Sequence, residues 1–414
     1  MPDDTTTSPA ITLSEAQRAA VEAKGPVMVL AGPGTGKTTV MVERLAHLAS
    51  KGADPASMLA ITFTRKAAEE LRLRLGARLG NRADLVSTEN FNSFGQRLVF
   101  AHADRLGYTS KPRLIDDTHL QYVVRHLIID HDLFRGFLPR DRRELASELV
   151  SFIERMRHRG FGPDEARRRI EAHDEPGDVG FPNRDLLLEA CDAFQVVEDH
   201  CRLKGWMTFD DQIVQATRLL REHDDVRHPY RHVIVDECQD VNPAQIELLR
   251  LLDVEDTCMV GDDDQAIYAF RGSDVRAFEH MHEAFPGASV LRLTENRRSA
   301  RRIVEVSNAI IANANSRFDE GKVIEAHRQE TGRVEIFQYE PHRLSDAVVA
   351  LIRQDREANP DRPLGEYAVI GRNRSHLEDL VATLDLEGLR WQFSSGSGAP
   401  DVLADLEAWM GILT

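Results

Sequence analysis

Ala31-Gly32-Pro33-Gly34-Thr35-Gly36-Lys37-Thr38 decides how the rest of this chain is read. It follows the apolar run Val27-Met28-Val29-Leu30, which reads as a short buried strand. It opens the segment Thr39 to Ala49, where Val40, Val42, Leu45 and Leu48 recur at helical spacing. A strand, a glycine-rich turn and a helix make the setting a phosphate-binding loop needs. Glycines let the backbone curl so that several N–H groups face one anion, and the helix N-terminus adds partial positive charge. In that reading Lys37 reaches the β- and γ-phosphates and the Thr38 hydroxyl is a ligand for Mg²⁺. Ala31 stands where the usual pattern has its first glycine, and its small side chain still suits the turn. A glycine-rich turn without a ligand is the bland alternative; Gly-Lys-Thr in this setting argues for a nucleoside triphosphate.

Composition sets the outer limits. A chain of 414 residues has room for about two to four domains. Its 42% hydrophobic and 29% charged residues are those of an ordinary globular protein. No apolar run approaches the ~20 residues of a membrane span, and the polar start Met1 to Ala10 has no secretory apolar region. Cys191, Cys201, Cys238 and Cys258 lack metal-type spacing and fit a reducing cytoplasm. A formal net charge of −16 argues against nonspecific coating of nucleic acid. A local basic groove remains compatible with it, because screening confines surface charge effects to roughly 10 Å.

Outward from the loop, Leu13-Ser14-Glu15-Ala16-Gln17 starts a short helix capped by Ser14. Gln17 lies close enough to the loop for its amide to read an adenine edge, although a helical glutamine is more often simply solvated. Met58 to Thr64 reads as a second strand, leading into a helix that carries Arg65, Arg72, Arg74, Arg78 and Arg82. That basic helix suits phosphate contacts on a polymer or is a solvated face. Asn90-Phe91-Asn92-Ser93-Phe94 interleaves aromatics and amides, as a base-stacking surface does, with buried phenylalanines as the competing reading. From Tyr108 to Lys204 the pattern is helical and charged, as in an inserted subdomain.

Strand and helix alternation then returns. His232 to Val235 is a strand ending in Asp236-Glu237-Cys238-Gln239-Asp240. Carboxylates at the C-terminal end of a parallel strand, beside a phosphate loop, suit Mg²⁺ and an attacking water. Asp236 is placed to hold the metal and Glu237 to polarise the water. Thr257 to Val260 is a further strand, ending in Gly261-Asp262-Asp263-Asp264-Gln265 and continuing to Tyr268, Phe270 and Arg271. Ser289 to Leu293 reads as a strand opening a second α/β layer near Pro286, followed by Thr294 to Ser299 and a helix to Ala312. Gly332 to Tyr339 and Glu366 to Ile370 read as strands, with helices at Leu344 to Ile352 and Leu377 to Leu386.

Taken in order, these segments resemble the UvrD/Rep/PcrA group of superfamily 1A DNA helicases. The phosphate loop, Val235 to Asp240, Gly261 to Tyr268 and Asn296-Arg297-Arg298-Ser299 carry the resemblance. Thr62 to Ala68 and Phe209-Asp210-Asp211 match two further signatures. The resemblance implies ATP-driven 3′→5′ movement along single-stranded DNA in repair or recombination. It also implies an α/β fold: a P-loop RecA-like parallel-sheet domain with a helical insertion, then part of a second RecA-like domain. The expected boundaries are 1–107 and 206–286 for the first domain, 108–205 for the insertion, 287–395 for the partial second domain and 396–414 for the start of a second insertion.

By match of motif, Gln17 contacts adenine, Gln265 senses the γ-phosphate and Arg298 supplies charge to the transition state, beside Lys37, Asp236 and Glu237. Gly32, Pro33, Gly34, Thr35, Gly36, Lys37 and Thr38 form the nucleotide cradle, flanked by Thr39 and Arg297; Thr38 and Asp236 hold the metal. Phe63, Thr64, Arg65, Asn92, Tyr268, Phe270 and Arg271 face the DNA, with Phe63, Tyr268 and Phe270 stacking on bases. Four departures qualify this. Thr39 and Arg297 stand where the family often has an arginine and a tyrosine around adenine, Asn92 where a histidine is common, and Phe270 where a tryptophan is usual. The two last motifs of the second domain do not precede Thr414, so a short form or fragment that does not unwind duplex alone is expected. An ATP-gated single-stranded-DNA-binding subunit, with a second polypeptide completing the site, is the alternative from another class; a small-molecule kinase is a third.

Overall fold

The computed structural model describes residues 12–136, 142–172, 184–226, 230–254, 256–266, 276–314, 317–371 and 373–393. They divide into two compact units, Met1–Gly332 and Arg333–Thr414.

The first unit is built on a six-stranded sheet: β1 (Val27–Ala31), β2 (Met58–Thr62), β3 (Ser87–Asn90), β4 (His232–Val235), β5 (Asp256–Gly261) and β6 (Ser289–Leu293). The spatial order is β3-β2-β4-β5-β1-β6 and every ladder is parallel. A parallel sheet must be covered on both faces, which explains why β1 is apolar throughout, β2 is apolar up to its last residue, Thr62, and both are wholly buried. Alternate residues serve the two faces. Met28, Leu30, Leu59, Ile61, Val233 and Val235 pack into one core; Val27, Val29, Met58, Ala60 and Ile234 pack into the other. Helices α1 (Glu15–Glu22), α2 (Lys37–Ser50) and α3 (Arg65–Leu79) cover the second core. The first is covered by α4 (Phe91–Ala101) and three helices that follow the insertion.

The insertion contains α5 (Asp117–Asp130), α6 (Arg142–His158), α7 (Pro163–Ala172) and α8 (Arg184–Lys204) around a core of its own. Its ends are stitched together by a short parallel pair, Arg113–Leu114 with Trp206–Met207. The chain then returns through α9 (Phe209–Glu222), α10 (Pro243–Leu251) and α11 (Ala277–Ala284), and reaches α12 (Arg301–Ile311) after β6.

One buried ion pair fastens the insertion to the α/β core. The Arg157 guanidinium on α6 meets Asp211 of α9 at 2.7 Å, donates to the Thr208 hydroxyl at 3.3 Å and lies over the Phe194 ring. Thr208 and Asp211 also form the capping box of α9, so the Phe209-Asp210-Asp211 signature sits at the junction of the two parts.

Two expectations change. Ser289–Leu293, read as the opening strand of a second domain, joins the first sheet by pairing with β1 from Val27↔Ser289 to Ala31↔Leu293. The two compact units divide at residue 332. In the second unit, 333–339 and 367–370 form no strand among the described residues, and Glu366 ends a short 3-10 turn, Leu364–Glu366. A strand needs a neighbour for its N–H and C=O groups. Ile336 and Ile370 there are 95% and 93% exposed. Helices α13 (Leu344–Ala358) and α14 (Glu378–Leu386) form as expected, with Gly388 at φ +64° just past the end of α14.

Candidate nucleotide site and nucleic-acid face

The phosphate loop leaves β1 at Ala31 and enters α2 at Lys37. Gly36 caps the helix at φ +90°, a conformation open to glycine, and a Cβ there would lie 2.6 Å from Gln17 Nε2. Gly34, at φ +71°, lets Asn296 and Arg298 approach so closely that a Cβ would lie 2.7 Å from Arg298 Cβ. Thr35 turns inward and donates to Gly32 O at 2.7 Å, closing the loop on itself.

Gln17 is buried beneath this loop. Its Nε2 donates to Thr35 O at 2.9 Å and its Oε1 accepts from Ser14 N–H at 3.0 Å. The residue singled out for adenine is thus also a strut of the loop and half of the α1 capping box. Beside it opens a cleft of about 510 Å³ lined by Gln17, Thr35, Leu293, Thr294, Glu295 and Glu325. Thr38 and Thr39 are half-exposed at the start of α2.

The acidic pair arrives from β4, 200 positions along the chain from the loop. Lys37 Nζ donates to Glu237 Oε2 at 2.9 Å. The backbone of Glu237 is left-handed, at φ +51°, and its N–H donates to Asp236 Oδ1 at 3.0 Å. A non-glycine residue in that region is held at a cost of about 1–3 kcal/mol, and such strain gathers at functional sites. Burial, and secondly the charge of Glu237, pushes Asp236 up to about 6. Gln239 links this pair to the next strand: its Nε2 donates to Glu237 Oε2 at 2.8 Å and its Oε1 accepts from Asp262 N–H at 2.9 Å. Gln265 is anchored in turn, donating from Nε2 to Asp262 Oδ2 at 2.7 Å.

These residues fit a nucleotide with a hard divalent cation. The left-handed loop leaves a cradle that a side chain would fill, and the Lys37 ammonium sits at its rim. Thr38 and Asp236 offer oxygen donors only, the donor set Mg²⁺ prefers. A cation beside Asp236 also relieves the carboxylate repulsion noted above.

Asn296 closes the site from the far side. Its Nδ2 donates to Pro33 O at 2.8 Å, while its Oδ1 accepts from the N–H groups of Arg298 and Ser299 at 2.9 and 2.7 Å. Arg297 N–H donates to Gly34 O at 2.9 Å, and the Arg297 guanidinium reaches Glu295 at 3.1 Å. Arg298 is exposed directly after this contact. Sequence reasoning chose the arginines and passed over Asn296; its place just before them was the available signal.

The nucleic-acid residues are less gathered. Phe63 is half-buried at the end of β2, and Thr64 caps α3 by accepting from Ala67 N–H at 3.0 Å. Arg65 is exposed on the first turn of α3. Asn92 donates to Phe209 O at 3.1 Å. Phe91 and Phe94 are buried, so the aromatic and amide stretch serves the core rather than stacking. Arg72, Arg74 and Arg78 are ion-paired with Asp84, Glu70 and Glu43, so those three α3 arginines are paired within the protein. Tyr268, Phe270 and Arg271 lie outside the described residues. No helix among the described residues is long and apolar enough to cross a membrane.

Comparison with known proteins agrees with this geometry. Residues 13–286 match the UvrD/REP helicase N-terminal domain. The ATP-dependent DNA helicase Rep of Salmonella typhimurium is 30% identical over 427 aligned positions, covering 97% of this chain and 58% of that protein. Rep of Escherichia coli is 29% identical with the same coverage. The ATP-dependent DNA helicase PcrA of Staphylococcus aureus is 28% identical over 317 positions, covering 74% of this chain and 41% of that protein. The chain therefore spans a little over half the length of the Rep proteins it matches. A loop and an acidic pair set on one parallel sheet and closed by Asn296, in a chain whose residues 13–286 match one domain family, make it a member of the UvrD/REP helicase family.

Proposed function

We propose that this chain is an ATP-hydrolysing motor acting on single-stranded DNA in the cytoplasm, with 3′→5′ polarity and a role in repair or recombination. The single observation that carries the reading is the 2.9 Å contact between Lys37 and Glu237. It sets the phosphate-reaching cation and the water-polarising carboxylate at one place. Lys37 leaves Glu237 for the β- and γ-phosphates when ATP enters the loop, which frees the carboxylate to accept a proton from the attacking water. Mg²⁺, when bound at Thr38 and Asp236, neutralises charge on the phosphate oxygens. Gln265 faces the γ-phosphate and Arg298 supplies positive charge as it departs. On the DNA side, Phe63, Thr64, Arg65 and Asn92 line the strand together with Tyr268, Phe270 and Arg271.

ATP turnover with and without single-stranded DNA, beside nucleotide binding, tests the reading. Lys37→Ala is expected to abolish ATP binding. Glu237→Gln is expected to bind ATP within a few-fold of wild type and to lose turnover by about 10²-fold or more. Nucleotide binding with no DNA-stimulated turnover in the wild-type chain would favour an ATP-gated binding subunit instead.

A further inference from the structure

Asp262, Asp263 and Asp264 follow one another at the end of β5, and their carboxylates converge within 4.8 Å. Three acids in one buried place need a counter-charge. The protein supplies it from 60 positions away: the ammonium of Lys322, with no exposed surface, lies 2.7 Å from Asp262 Oδ1 and 3.1 Å from Asp264 Oδ2, and also bonds Asp263. Arg317 adds a two-pronged contact to Asp264 at 2.7 and 3.0 Å. The acidic triplet is thus filled by the chain's own cations, and its residues answer to the nucleotide site.

Asp262 is the junction. One carboxylate oxygen takes Lys322, the other takes the Gln265 amide, and the Asp262 N–H holds Gln239, whose other end holds Glu237. The bonds run without a break from Lys322 to Lys37. We propose that Lys322 is a positioning residue for ATP turnover: it orients Asp262 so that Gln265 and Gln239 present their amides to the γ-phosphate and to Glu237. This rests on the nucleotide reading above and extends it to a residue outside the phosphate loop and the acidic pair. A lysine that only balanced charge would be replaceable by removing one carboxylate; a lysine that orients Asp262 would not.

The test uses the full chain and equilibrium binding of N-methylanthraniloyl-labelled ATP and ADP, with DNA-stimulated ATP turnover alongside. Wild type is expected to prefer ATP to ADP. Lys322→Met is expected to lose that preference on the order of tenfold, the worth of one hydrogen bond to a charged phosphate, and to lose turnover by at least as much, with ADP affinity unchanged. Lys322→Met/Asp263→Asn keeps the net charge of the cluster and guards against loss of folding by the single variant. It is expected to melt near wild type and still lack the ATP preference. Wild-type preference and turnover in either folded variant would overturn the proposal. A wild-type chain that binds neither nucleotide would overturn the proposal together with the nucleotide reading, and is recognisable because it needs no variant.

Discussion

Gly36 carries two demands at once: a left-handed backbone at φ +90° and a neighbour, Gln17 Nε2, that leaves no room for a side chain. Gly36→Ala is therefore expected to weaken ATP binding by about tenfold or more, since the backbone conformation alone costs roughly 1–2 kcal/mol. Gln17→Ala removes the collision together with the strut to Thr35 O, so against Gln17→Ala alone the double variant isolates the dihedral cost, and titration with a fluorescent ATP analogue should still find a loss. Equal affinities in those two variants would mean that the dihedral angle carries none of the loss. The glycine, the lysine and the two carboxylates were legible in the sequence because each is a residue type with one common use in that pattern. Glu237's left-handed backbone, Asn296's reach to Pro33 and Lys322's burial were not. Each depends on a partner up to 263 positions away, and no local pattern reports such a meeting.

At the scale of elements, α6 of the insertion and α9 of the core meet through a titrating cluster. Burial, then the charges of Asp117 and Asp210, push Glu154 up to about 7, with His158 and Arg157 pulling the other way. Burial works against protonation of His158, but its 3.2 Å contact with Asp210 outweighs this and its pKa rises. A carboxyl whose pKa is raised in the fold stabilises it while protonated. The Glu154 contribution is complete below its ordinary value near 4.5 and is lost as pH rises through about 7. His158 acts in the same direction, its contribution present below its ordinary value and fading once the raised pKa is passed. Glu154→Gln is expected to melt like wild type near pH 5 and to be more stable at pH 8 by roughly 1 kcal/mol, after allowing for solvent screening. Equal stability at both pH values would remove the cluster from the account. The elements themselves were mostly legible, since β1, β2, β4 and β5 are apolar runs and the insertion announces itself by helical period. The exception is β6, whose exposed Ser289 and Val290 look like the start of something new. Its membership in the first sheet is decided by pairing with β1, which no single strand reveals.

For the whole molecule, the two units differ in how much they bury. The first holds three extensive cores; the second gathers Val349, Leu380 and Leu384, with Val348, Leu377 and Leu389 packed against them. Local stability follows buried apolar contact, so amide hydrogens of α13 and α14 are expected to exchange orders of magnitude faster than those of β1, β2 and β4. Hydrogen exchange read by mass spectrometry checks this, and equal protection in the two units would contradict it. The family was legible because its motifs are short, ordered and chemically specific, whereas the place of β6 was not, because strand order is a property of the assembled sheet.

The central place of β1 has a consequence for synthesis on the ribosome. Both strands that flank it are made long afterwards: Val27 pairs with Cys258 and with Ser289, which lie 258 − 27 = 231 and 289 − 27 = 262 positions downstream. At about 5–20 residues per second, the finished strand waits roughly 12–50 s as a nascent segment before either neighbour emerges. For that interval α1 and α2 can already cover one face of the strand, but both of its hydrogen-bonding edges lack their native partners. The sheet on which the nucleotide loop is mounted is therefore complete only once translation has passed β6.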